Sequence, residues 1–241
     1  MESQEQCERQ TCCLIVFGRD GADVLLKLTG AGFVFPRVEV RRWERLAENL
    51  TTALTKDWNC DAVCLFTPNY SSQDSHHYEV MQCWRDQHIG GTEWKPVHSL
   101  TVDSFQDESE FRTLIRCLND LDGYEHDPKS PFAQRGWLTR VQGWAADAIR
   151  PFERELGSSF RQYNTSPSFS LIRLETNGTA VWFKAVGEPN LREYPITLKL
   201  AELFPTFIPE ILATKPEWNA WLSHEADGTN LGETRDLRLW E

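Results

Sequence analysis

The sequence has no cluster of basic residues, no C-x-x-C pair and no apolar run near the roughly 20 residues of a membrane-spanning helix. Each absence excludes something. Without a basic stripe, and with 36 Asp/Glu against 25 Lys/Arg for a net charge of -11, nothing tracks a phosphate backbone, so nucleic acid is excluded as a partner. The seven cysteines all fall at or before Cys117, and the spacings Cys12-Cys13 and Cys60-x-x-x-Cys64 match no zinc-ligand pair of the C-x-x-C kind. An odd number of thiols without a framework reads as buried and reduced, which fits a reducing compartment. Met1-Glu2-Ser3-Gln4-Glu5-Gln6 lacks both the positive and the apolar region of a signal peptide. A cytoplasmic protein is the expectation. There is no Gly-x-Ser-x-Gly nucleophile elbow, no internal repeat and no low-complexity tract.

What is present is a core-forming composition. Hydrophobic residues make up 40% of the chain and ten are Trp, enough to bury one large or two small domains. Cys12 to Phe17 and Asp23 to Leu28 read as strands around the turn Arg19-Asp20-Gly21. Gly30-Ala31-Gly32 interrupts the pattern. Arg41 to Trp58 reads as one amphipathic helix with Trp43, Leu46, Leu50, Leu54 and Trp58 on a face. Ala62 to Phe66 and His77 to Arg85 read as strands, and Ser109 to Leu121 as a helix with Phe111, Leu114, Ile115 and Leu118 inward. Asp122 to Pro131 reads as a boundary. Gly136 to Leu156 reads as a helix on Trp137, Val141, Trp144 and Ala148, disturbed at Pro151. The second half changes character. Ser168 to Glu175 and Thr179 to Val186 form a hairpin across Asn177-Gly178. A helix from Leu191 to Phe204 follows, then short strands at Phe207 to Leu212 and Trp218 to His224, with a turn at Asp227-Gly228.

Lys184 stands within the apolar strand Val181-Trp182-Phe183-Lys184-Ala185, and Glu193 opens the next helix. A strand lysine oriented by a helix carboxylate is one way to fix positive charge against nucleotide phosphates. The plainer reading is a surface lysine on a half-exposed strand and a glutamate favoured by the helix dipole. The order of elements from Ser168 to Glu233 resembles the N-terminal lobe of aminoglycoside phosphotransferase and choline-kinase-like enzymes. The stretches that carry it are Ser170-Leu171-Ile172-Arg173-Leu174, Val181 to Val186, Arg192-Glu193, Leu200 to Pro205, Ile208 to Ala213 and Ala220 to Gly228. The resemblance implies that Lys184 contacts phosphates, that Glu193 orients it, and that Ser223, His224, Glu225 and Ala226 face adenine as a hinge. It implies ATP and magnesium, and transfer of a phosphoryl group to a small-molecule hydroxyl. Two features depart from the family. Tyr163 to Ser168 stands where a Gly-rich turn would cradle phosphate. No His-x-Asp catalytic loop with its later Asn and metal-binding Asp is found, and His224 to Asn230 has those residue types at other spacings. The chain is therefore expected to be the amino-terminal portion of such a protein, truncated before its catalytic lobe.

The first half resembles the Nudix hydrolase fold, with two strands, a Gly-bearing turn, a helix and further strands. Threading on Phe33-Val34-Phe35-Pro36 places Glu44 at the first family carboxylate, Thr52-Ala53 at Arg-Glu and Lys56-Asp57 at Glu-Glu. Glu44 and Asp57 alone could hold a metal, and Lys56 would repel one. Asp74, His76, His77 and Glu79 are the other candidate ligands, but adjacent histidines on a strand face opposite ways. The expectation is an α+β chain. Residues 1–126 form a degenerate Nudix-like domain, 127–157 a linker and helix, and 158–241 a kinase-like N-lobe of antiparallel sheet plus one helix. Its partners would be a nucleotide and an unidentified small-molecule acceptor. The alternatives are a non-catalytic binding or regulatory module, and a Nudix-type hydrolase of nucleoside diphosphate derivatives.

Overall fold

In the computed structural model the described residues are 9–41, 45–68, 77–84, 91–125, 131–166 and 168–228. They form a mixed α+β fold on two sheets. The first sheet has seven strands: β1 (Arg9–Phe17), β2 (Asp23–Thr29), β3 (Gly32–Val34), β4 (Arg37–Arg41), β5 (Ala62–Phe66), β6 (His77–Cys83) and β7 (Glu93–Pro96). Its main path runs β3-β2-β1-β6-β5, with β4 on β1 and β7 on β2. The β1/β6 pair is parallel, Leu14 opposite Glu79, and the others are antiparallel. The second sheet is antiparallel, in the order β11-β12-β10-β9-β8. Its strands are β8 (Leu156–Ser166), β9 (Phe169–Thr176), β10 (Val181–Val186), β11 (Ile211–Lys215) and β12 (Ala220–His224).

Four helices cover these sheets among the described residues: α1 (Leu46–Trp58), α2 (Glu108–Glu125), α3 (Trp137–Ile149) and α4 (Glu193–Leu203). α1 places Ala47, Leu50 and Leu54 on Cys12, Leu14, Val16, Cys64 and Met81. The opposite face of the first sheet belongs to a larger core with Leu114 and Cys117 of α2, Trp137 and Val141 of α3, and Ile172, Phe183 and Leu222 of the second sheet. Trp137 is fully buried, edge-on to Phe132, Phe183 and Trp218 at 5.9, 5.7 and 4.8 Å. One apolar interior thus runs through both halves.

Several expected elements are corrected. The helix read from Arg41 begins at Leu46, because Arg37–Arg41 is a strand with Val38 and Val40 buried in alternation. Trp43 and Glu44 lie outside the described residues. Ile115, expected inward, is 41% exposed; α2 turns Leu114, Cys117 and Leu121 to the core instead. The helix read to Leu156 stops at Ile149, where Arg150–Phe152 continues as a 3-10 turn around Pro151. Residues 156–166, to which the sequence assigns no strand, form β8. Phe207 belongs to no strand and is 84% exposed, and the fourth strand of the second half starts at Ile211.

β8 joins the halves. The buried Gln162 amide donates to the Cys64 carbonyl at 2.9 Å and accepts from the Cys64 amide at 2.8 Å, pairing as a backbone unit would with the edge of β5. Gln162→Ala is expected to cost about 1–2 kcal/mol in urea unfolding, since water enters the vacated space and replaces part of both bonds. A midpoint unchanged from the parent would show that these bonds do not tie the halves.

Candidate functional site

The hairpin β9/β10 and the helix after it position the second-half residues singled out in the sequence. On β10, Val181, Phe183 and Ala185 enter the core while Trp182 and Lys184 are half-buried on the other face. The strand period of two therefore places the ammonium group of Lys184 on the outer face of the sheet. There Lys184 Nζ donates to Glu193 Oε1 at the start of α4 and sits 5.6 Å from the centre of the Trp221 ring. Tyr194 lies over the same ring from α4, with centroids 6.3 Å apart.

The four hinge residues separate. Ser223 is buried opposite Trp182, on the Lys184 face. His224 points to the other side, where Nδ1 accepts from Arg154 at 3.1 Å and Nε2 is 3.5 Å from Glu210. Glu225 returns to the Lys184 face. It takes a fork from Arg173, Nε at 2.6 Å and Nη2 at 3.0 Å, and a bond from Trp182 Nε1 at 3.2 Å. These hydrogen bonds, Arg173 first, hold the Glu225 carboxyl below its usual range and raise the Arg173 guanidinium further. Arg173 also donates to Glu175. Ala226 follows Glu225 along the wall of a cleft of about 730 Å³ that includes Tyr163, Leu171, Arg173 and Trp182. Lys184 and Trp182 are two residues apart on one face, roughly 7 Å along the strand. Lys184 with Glu193 therefore marks one end of this surface and Glu225 with Ala226 the other.

Sequence reasoning missed Trp182, Tyr163 and Arg173 as site residues. The Tyr163 and Trp182 rings lie 4.7 Å apart. Trp182 was legible as the outward neighbour of Lys184 by strand period, whereas Tyr163 lies on a strand that the sequence does not announce.

In the first half, α1 carries Glu48 in its first turn, 3.6 Å from Arg161 of β8, with Lys56 and Asp57 exposed near its end. Glu44, Asp74 and His76 lie outside the described residues. His77 and Glu79 share a face of β6, joined at 3.0 Å; Thr67 donates to the same Glu79 oxygen at 2.7 Å, and Glu79 Oε2 has no hydrogen-bond partner among the described residues. The nearby thiols of Cys12 and Cys64 are buried. Burial foremost, with the Glu79 charge behind it, pushes Cys12 up to about 12. Among the described residues, no group of three His, Cys, Asp or Glu could hold a metal ion. A second cleft of about 440 Å³ opens among Lys27, Thr29, Phe35, Arg37, Trp58 and Gln106.

No family model and no curated protein sequence matches this chain. Among solved structures it is similar to MutT, from a study of Aliivibrio salmonicida and Vibrio cholerae, at 14% identity and a TM-score of 0.36, over 46% of this chain and 98% of that one. It is similar to a Nudix-family hydrolase from Clostridium perfringens at 11% identity and a TM-score of 0.34, over 46% and 97%. MutT from Methanosarcina mazei is similar at 11% identity and 0.33, over 46% and 93%. No helix among the described residues is long and apolar enough to cross a membrane.

Proposed function

We propose that the second half is the nucleotide-holding lobe of a phosphoryl-transfer enzyme of aminoglycoside phosphotransferase type, acting on a small-molecule hydroxyl. The observation that carries this is the Lys184–Glu193 bond, made between the third strand of a five-stranded antiparallel sheet and the helix that follows it. Phosphoryl transfer needs positive charge fixed in place rather than covalent chemistry, and a carboxylate-oriented lysine on a rigid strand supplies it. Lys184 would contact phosphate oxygens of ATP, Glu193 would hold its ammonium in place, and the backbone of Glu225 and Ala226 would border the base. Magnesium does not fit the described residues, which contain no three-ligand set, so no step is assigned to it. The step proposed for the residues named here is nucleotide binding. Calorimetry with ATP on the parent chain and on Lys184→Ala tests it. Loss of at least about tenfold in affinity is expected for a charged contact. Equal affinity in the two proteins removes Lys184 from the site.

A second reading concerns the first half: a Nudix-type fold acting on nucleoside diphosphate derivatives. It is favoured by the cleft beside Trp58 at the end of α1, whose lining brings the exposed Lys27 next to Arg37, a guanidinium that bonds Glu110 through Nη2. Hydrolysis of a nucleotide-sugar panel, abolished by Glu44→Gln, would support it. An inert first half with intact binding at Lys184 leaves that half as a binding or regulatory module.

A further inference from the structure

The cysteines Cys12, Cys13, Cys60, Cys64, Cys83 and Cys117 are all buried with free thiols. Cys12 and Cys13 are neighbours on β1 but face opposite cores. Cys60 and Cys83 meet. Their sulfur atoms lie 3.6 Å apart, and both side chains are buried in the core under α1. The local backbone holds each of them. Asn59 ends α1 in the left-handed region, at φ 50°, and turns the chain back so that the Cys60 amide donates to the Leu54 carbonyl at 3.1 Å. Thr55 Oγ1 donates to the Cys60 carbonyl at 3.4 Å. Cys83 closes β6 opposite Ala62, and the next amide, that of Trp84, donates to the Asp61 carbonyl at 2.7 Å. A disulfide needs the two sulfurs at about 2.05 Å. The remaining gap, shared between two side chains, is within reach of rotation about their Cα–Cβ bonds.

We propose that Cys60 and Cys83 are an oxidation site, a dithiol that a hydroperoxide converts to a disulfide joining the end of α1 to β6. The thiolate of one cysteine attacks a peroxide oxygen, the O–O bond breaks and the leaving hydroxide takes a proton to become water. The sulfenic acid so formed is attacked by the partner sulfur, which gives up its proton. The S–S bond forms and the sulfenic oxygen leaves as a second water. Two thiols are oxidised by two electrons and one peroxide is reduced to two waters. The pair is kept reduced at rest by its surroundings: the hydrogen bond with Cys83, then burial, hold the Cys60 thiol above its ordinary value, so little thiolate is present. Reaction therefore passes through opening of the helix end. Trp58, two residues before Cys60, lines the cleft of about 440 Å³, so the bond also pins the helix end that borders that cleft.

The test takes the whole chain, reduced and freed of reductant, and exposes it to hydrogen peroxide. Remaining thiols are alkylated in urea, and the digested chain is read by mass spectrometry. The expected product is a pair of peptides joined through Cys60 and Cys83, two hydrogens lighter than their sum and parted again by a dithiol reductant. The thiol count falls by two from seven. The thermal midpoint of the linked chain is expected about 5 °C above that of the reduced chain, because the bond closes the loop from Cys60 to Cys83 in the unfolded state. Cys83→Ala, which keeps a small apolar group in the core, should give neither the link nor the rise. Seven thiols retained under conditions that oxidise the urea-unfolded chain overturn the proposal. So do a link through other cysteines or between two chains, and a sulfinic acid at Cys60 or Cys83 in place of the link. A linked pair with an unchanged or lowered midpoint, or a rise that persists in Cys83→Ala, removes the lock on α1. The link is mapped on the parent chain, so the result stands whether or not the variant folds.

Discussion

Trp137→Ala is expected to lower the unfolding free energy by about 3–5 kcal/mol, the usual cost of removing a large buried aromatic. Trp137 has no exposed surface and touches rings from the 131–133 turn, from β10 and from the Pro216–Trp218 turn. It also belongs to the one buried cluster that contains Phe17, Leu65 and Val80 of the first sheet and Phe183 and Leu222 of the second, so its loss should weaken both halves together. Urea unfolding followed by far-ultraviolet circular dichroism should move as one transition to a lower midpoint. Two separated transitions, with one unchanged, would show that the halves hold independent cores.

Glu110→Ala is expected to cost about 3 kcal/mol, more than Arg37→Met. Glu110 is fully buried; one oxygen accepts the Phe35 amide at 2.8 Å and the other accepts from Arg37 at 2.9 Å. Removing the carboxylate leaves a buried backbone donor without an acceptor and opens a void. Arg37→Met is milder because it keeps the Phe35 bond and fills the space, so one interaction is lost rather than two, and the half-exposed place of Arg37 gives water a path toward the Glu110 oxygen. The same bond holds the Arg37 guanidinium above its ordinary value. A double-mutant cycle on these residues should return a coupling of about 1–2 kcal/mol. An order of effects reversed between the two single variants would place the main role of the pair at Arg37.

Some of this molecule is legible in its sequence. Asn177-Gly178 announces the β9/β10 hairpin, and the register across it, Lys184 opposite Leu171, follows from that turn. Ala62 to Phe66 matches its strand because five apolar residues stand between polar borders. The Lys184–Glu193 contact was visible because strand period and helix start are both local signals. Other parts depend on what packs against them. Val38 and Val40 alternate as a strand should, yet three residues of that strand are charged and the stretch blends into the helix that follows. β8 is polar along much of its length, and the burial of Gln162 comes from its amide docking on another sheet, which no local pattern encodes. The sequence reads as a helix from Leu191 to Phe204, and what it does not show is that none of the α4 residues is buried, with Ile196 and Leu203 more than half exposed. Arg45 and Tyr163 are separated by more than a hundred positions, so their contact follows from the packing of α1 on β8.

The Gln162 amide has a consequence for solubility. β5 is the last strand on the path of its sheet, and a bare strand edge is a template for pairing with another chain. By occupying the N–H and C=O of Cys64, one side chain caps that template at its middle. A first half prepared without β8 would present the row uncapped, and self-association through β5 is the failure to watch for when the chain is divided.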